Sequence, residues 1–274
     1  MRGASREALA QAWSAVEAAL ASASTADAAQ VGDELFGVVG VLDDQVALRR
    51  ALSDPAIAAQ RKAGLADSVL GARVNATTLE IVRGLVRSRW SRMRDLVDAV
   101  ETVAVLARLI GADRAGAGER SDEVEDELFR FARIIENRPD LRDALANPGL
   151  PAANKVSLLH ALLDGKATST TVALVVQAVS RPRGRKPEEG LAEYGEIAAR
   201  RTRRSIARVT AAVALSDDER SRLRAALAQM YGHDVQLQVE IDPAIAGGLV
   251  VRVDDEIVDG SIAGRLADAR QRLT

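Results

Sequence analysis

The chain has 274 residues, 47% apolar and 28% charged, with a formal net charge of −2. This balance fits one large or two modest soluble globular domains and excludes a disordered or collagenous chain. The absence of cysteine excludes disulfides and thiolate metal sites, two histidines (His160, His233) argue against a multi-histidine metal site or a conventional Ser-His-Asp triad, and 3% aromatics disfavour base-stacking platforms.

The first two thirds read as helix. Residues 4–21 place Leu9, Trp13, Val16 and Leu20 at helical spacing. After a polar break at 22–26, an amphipathic run covers about 30–52 and ends at Ser53-Asp54-Pro55, because the residue before proline avoids the helical region. Further helical runs cover about 58–70, 76–89 and 93–112. The glycine-rich stretch 111–121 then breaks the pattern. No window reaches the ~18–20 apolar residues of a membrane span. The chain is therefore expected to stay in the cytoplasm and to meet a membrane only through a partner.

Beyond that break the pattern returns. Asp33-Glu34-Leu35-Phe36 reappears as Asp126-Glu127-Leu128-Phe129, an offset of 93, and Pro55, Lys62 and Thr77-Thr78 reappear as Pro148, Lys155 and Thr170-Thr171. Residues 33–89 against 126–182 give 17 identities in 57 positions without a gap, which predicts a duplicated helical unit. The second copy departs at the arginine-rich stretch 181–187, and a helix resumes at about 188–204.

From 205 the period changes to that of strands. Residues 208–213, 235–239, 249–253 and 256–258 alternate or run apolar. Ser216 and Glu219 form a capping box that opens a helix to about Tyr231, and Ser261 is placed to cap a last helix over 262–273. The expected fold is mainly α with a small α+β C-terminal domain: a duplicated antiparallel helical bundle, then a short-stranded sheet packed with helices. The expected domains are 1–110, 111–204 and 205–274.

Catalytic chemistry is hard to place. Gly247-Gly248 lacks the lysine and hydroxyl of a phosphate loop and reads as a backbone bend before a strand. Asp259-Gly260-Ser261 reads as turn, glycine and helix cap; His160 and His233 read as structural. Trp13 and Trp90 fit either core or an anchor for a partner helix. The arginines of 181–204 read as a solvated loop and a helix end, with a nucleic-acid patch as the alternative.

The C-terminal run Ile241-Asp242-Pro243-Ala244-Ile245-Ala246-Gly247-Gly248, followed by a strand, a hairpin and Asp259-Gly260-Ser261, resembles the delta subunit family of F-type ATP synthases, which includes the oligomycin-sensitivity-conferring protein. The extra helical copy resembles the longer actinobacterial form. The resemblance implies a non-catalytic stator subunit without cofactor or metal, on the cytoplasmic face of the plasma membrane. It implies binding of amphipathic N-terminal helices of alpha subunits to the helical bundle and of the C-terminal end of subunit b to the C-terminal part. The family motif maps to Asp242, Pro243, Gly247, Gly248, Asp259, Gly260 and Ser261. The expected helix-binding groove residues are Leu79, Val82 and Val86 in the first copy and Val172, Val175 and Val179 in the second.

Overall fold

The computed structural model describes residues 3–116, 120–204, 206–231, 235–242, 248–253 and 256–259. These divide into two compact units, Met1–Ala199 and Arg200–Thr274. The fold is mainly α with a small α+β part.

In the first unit, α1 (Ala4–Ala19), α2 (Thr25–Asp44), α3 (Val46–Ser53), α4 (Ala59–Leu70), α5 (Ala76–Arg87) and α6 (Met93–Ala115) make the first copy. The run expected as one helix over 30–52 is two. Gln45 leaves helical geometry at φ −110°, ψ 84°, and Arg49 then folds back so that its Nη1 donates to the Leu42 and Asp43 carbonyls at 2.9 and 3.2 Å. Those bonds satisfy carbonyls that a helix end leaves open. α2 also begins earlier than expected, because Ser24 and Asp27 close a capping box there.

The second copy is α7 (Ser121–Asn137), α8 (Pro139–Ala146), α9 (Ala152–Leu163), α10 (Ser169–Ser180) and α11 (Pro187–Arg204). Moved by 93 residues, α3, α4 and α5 coincide with α8, α9 and α10 at both ends. The local chemistry repeats as well. Asn75 accepts from the Thr78 amide at 2.8 Å, and its own amide donates to Glu34 Oε2 at 2.8 Å. In the second copy Thr168 accepts from the Thr171 amide at 3.2 Å and donates from its amide to Glu127 Oε2 at 3.0 Å. Each is a helix cap tied to a carboxylate three helices upstream.

α6 serves both copies. By the same shift α1 corresponds to residues 97–112 of α6, and α11 corresponds back to residues 94–111 of α6. α6 packs on α1, α2, α3 and α5, and also on α7 and α10. It is buried over most of its surface, from Leu96 and Val97 through Val103, Leu106 and Leu109 to Ala112, as a helix with apolar residues on more than one face must be. The division expected at 110/111 falls within this helix. Trp13 and Trp90 are core residues, and the Trp90 indole donates to the Leu85 carbonyl at 2.8 Å.

The second unit carries β1 (Ile206–Ala211), α12 (Asp217–Tyr231), β2 (Gln236–Ile241), β3 (Leu249–Val253) and β4 (Glu256–Asp259). The sheet order is β2-β1-β3-β4, with β1 and β2 parallel and the other pairs antiparallel. α12 lies between the parallel strands in sequence, as such a crossover requires. Ala207 and Val209 on β1 and Val251 and Val253 on β3 are buried with Leu227 of α12, one face of the alternation. The Ser216 hydroxyl and amide both donate to Glu219 at 2.8 Å, which forms the expected capping box.

Candidate functional site

The expected groove residues lie mostly in the core. Val82 and Val86 are 1% exposed, Val175 and Val179 0% and 1%, and Val172 is buried; Leu79 is half-buried. The correction has a simple cause. Helical period marks the apolar stripe of a helix, and on α5 and α10 that stripe meets α1 and α6 or α7 and α9 of the same bundle. These side chains hold the bundle together and offer no surface to a docked helix.

Of the C-terminal motif, Asp242 is half-buried, and its amide donates to the Ala211 carbonyl at 2.9 Å. Gly248 has φ +83° immediately before β3, the left-handed bend that favours glycine. Asp259 closes β4. Pro243, Gly247, Gly260, Ser261, His233 and the expected last helix lie outside the described residues. His160 lies on α9, half exposed, with Nδ1 3.0 Å from Asp164.

An open apolar groove lies on the second copy. It encloses about 540 Å³ between α7, α8 and α9, with the start of α10 at its end. Phe131 and Ile134 of α7 form one wall, Leu141 and Ala144 of α8 a second, and Leu158 and Leu162 of α9 the third. Ile134 is 49% exposed, a large apolar side chain that the bundle leaves uncovered. Arg130, Arg138, Asp140 and Lys166 stand at the rim, so the cleft is apolar within and charged at its edge. At the equivalent places the first copy has Val38 for Phe131, Val41 for Ile134, Gly37 for Arg130 and Gln45 for Arg138. The signal for the groove was present in α7, where Ile134 stands beside the buried Ile135 and outside the core stripe.

The arginine-rich stretch corrects the reading of a solvated loop. Arg183 is 5% exposed in its side chain. Its Nη2 lies 2.7 Å from Asp98 and its Nη1 donates to Glu101, both on α6. Its Nε is 2.8 Å from Asp43 on α2, a charge contact without hydrogen-bond alignment. Arg185 donates to Glu101 at 2.7 Å and also pairs with Glu193. The Tyr194 hydroxyl donates to the same Glu101 at 2.8 Å, and the Tyr194 ring lies 6.3 Å from that of Phe36. Burial, and after it the Glu101 carboxylate, hold the Tyr194 hydroxyl well above its ordinary pKa, so it stays a donor. Burial opposes the Arg183 charge, and Glu101, Asp98 and Asp43 together outweigh it and raise the pKa. These two arginines are spent inside the protein.

Among the described residues no helix is long and apolar enough to cross a membrane. The sequence profile of the family described as ATP synthase delta (OSCP) subunit matches residues 14–109 and 112–273. A protein of Acidothermus cellulolyticus named ATP synthase subunit delta is 56% identical over 275 residues, covering 100% of this chain and 99% of the relative. Proteins of the same name from Streptomyces avermitilis and Thermobifida fusca are each 48% identical, over 271 and 273 residues, with 98% and 99% of the relative covered.

Proposed function

The chain belongs to the ATP synthase delta (OSCP) subunit family, and from that premise we propose that it is the joint of the peripheral stalk at which the catalytic head is held against rotor torque. In this reading the second-copy groove receives an amphipathic N-terminal helix of an alpha subunit. The second unit holds the C-terminal end of subunit b. The chain itself performs no catalysis and reaches the cytoplasmic face of the membrane only through the complex.

The observation that carries the reading is the groove beside Ile134. Its volume lies within the roughly 300–1,000 Å³ of ordinary binding clefts. Its walls come from three helices, and its apolar floor and charged rim match what an amphipathic helix presents: apolar anchors at i, i+3/i+4 and i+7 flanked by polar residues. A helix docked there gains affinity by covering Ile134, Leu141 and Leu162. The bundle behind it has one continuous apolar core, as a joint under torque needs, because close-packed interiors are stiff and transmit strain.

The test is reconstitution. ATP synthase depleted of this subunit is supplied with the purified chain, and proton-driven ATP synthesis is measured. The unaltered chain restores synthesis. Ile134→Asp, at a half-exposed position that leaves the fold intact, restores it poorly. Full restoration by Ile134→Asp removes the groove from the account.

A further inference from the structure

We propose that Glu101, Arg183, Arg185 and Tyr194 form a latch that fastens α11 and the loop before it to α6 and α2, so that the two helical copies and the helix leading out of them move as one body. The latch stands on geometry and does not depend on the stator role. One buried carboxylate, Glu101 at 3% exposure, receives three donors from the second copy: both arginines and the tyrosine hydroxyl. In return Arg183 reaches two helices at once, α2 of the first copy through Asp43 and the shared α6 through Asp98 and Glu101. The outer carboxylates, Asp98 and Glu193, are 45% and 55% exposed and face water, so the buried centre is a single anion between two cations.

The repeat itself shows that the bundle does not require this cluster. Moved by 93 residues, Glu101 corresponds to Ala8, Asp98 to Ser5 and Arg183 to Trp90. The first copy closes the same connector without an arginine: the Ser5 hydroxyl donates to the Asp95 carboxylate at 2.7 Å and accepts from the Ser91 amide at 2.8 Å, and Trp90 is buried. The charges were therefore not needed to complete a helical copy, and Arg183 adds a contact that crosses from the second copy to the first, the one to Asp43 on α2. Gly40 fits the same account. A Cβ there would lie 3.0 Å from Arg181 Cζ, and the equivalent position in the second copy is Arg133. The first copy has cleared a path for the loop.

Buried ion clusters add little net stability over packed apolar groups, yet they tolerate only one arrangement, because a slipped helix leaves a charge buried without a partner. That is the behaviour of a latch. It holds α11 in register, and α11 runs on to Arg204, at the entrance to β1.

The absence of native cysteine allows a direct test. Arg61→Cys on α4 and Ala192→Cys on α11 are spin-labelled in the full chain, and the distance distribution between them is measured by double electron–electron resonance. The unaltered latch gives one narrow distribution. Arg183→Ala with Arg185→Ala widens it about twofold, because α11 then samples more than one seating. Arg183→Lys also widens it, since an ammonium lacks the fork that spans three carboxylates. An unchanged width in the double variant overturns the latch. If that variant fails to fold, hydrogen exchange on the unaltered chain decides: amides of α11 from Leu191 to Ala198 are protected to within about tenfold of those in α6. Exchange faster than that overturns it.

Discussion

The two connectors that lead into α6 and α11 differ by one residue in length and are held by different chemistry. Residues 88–92 seat Trp90 in the core and tie Ser91 to Ser5, whose hydroxyl donates to Asp95; residues 181–186 seat Arg183 and Arg185 on Glu101. The first solution finishes a bundle from within. The second seats the connector on the shared α6 and, through Asp43, reaches α2 of the first copy. Duplication therefore kept the helices in register while the connector of the second copy was turned to join the two.

The contrast is broken most severely by charging the shared core. Val82→Asp and Val175→Asp each cost about 4 kcal/mol, by burying a carboxylate with no partner. Urea unfolding checks this. A tolerated substitution in one copy means that its core is not sealed as the other is. Next in size, Trp90→Ala costs about 3–5 kcal/mol in lost packing. Trp90→Arg costs more than Trp90→Ala, since Ala8 stands where the second copy has Glu101. Equal stabilities for these two variants would show that the connectors do not differ as described.

The caps sharpen the comparison from the other side, where the copies agree. Asn75→Ala and Thr168→Ala each cost about 1 kcal/mol for the lost cap, with Thr168→Ala the costlier, because its hydroxyl also donates to Glu127 at 2.8 Å. A cheaper Thr168→Ala in thermal unfolding would contradict that ordering. The smallest effect is one of pH. Burial raises the Glu34 pKa, but the hydrogen bonds it accepts, among them from the Asn75 amide and Gln30, leave it below its ordinary 4.5. A depressed carboxylate stabilises the fold above its unfolded value and loses that contribution as pH falls through the folded one. NMR titration of Glu34 should give a midpoint below 4.5; one at or above it contradicts the cap.

Local signals explain why some of this was readable from residues. Pro55 and Pro148 stop the same helix in each copy, and the alternation of Val235, Leu237 and Val239 sets a strand. The break at Gln45 carries no proline or glycine and depends on Arg49 folding back, so periodicity ran through it. The groove was misplaced because Val175 and Ile134 are equally apolar in sequence, and only packing decides that one is enclosed and the other exposed. The arginines of 181–187 looked solvated because their partner Glu101 lies 82 residues upstream of Arg183, in the middle of an apolar helix. A charge in such a stretch was the one available sign of it.

In the proposed stator role the second copy holds an alpha-subunit helix in the cleft beside Ile134. Isothermal calorimetry of the purified full chain against a synthetic peptide of the alpha N-terminus, repeated at several temperatures, tests it most directly. Docking in this cleft gives saturable one-to-one binding with a negative heat-capacity change, the mark of apolar burial, and an affinity at least about tenfold weaker in folded Ile134→Asp. Absence of saturable binding, or equal affinity in the variant, would contradict it.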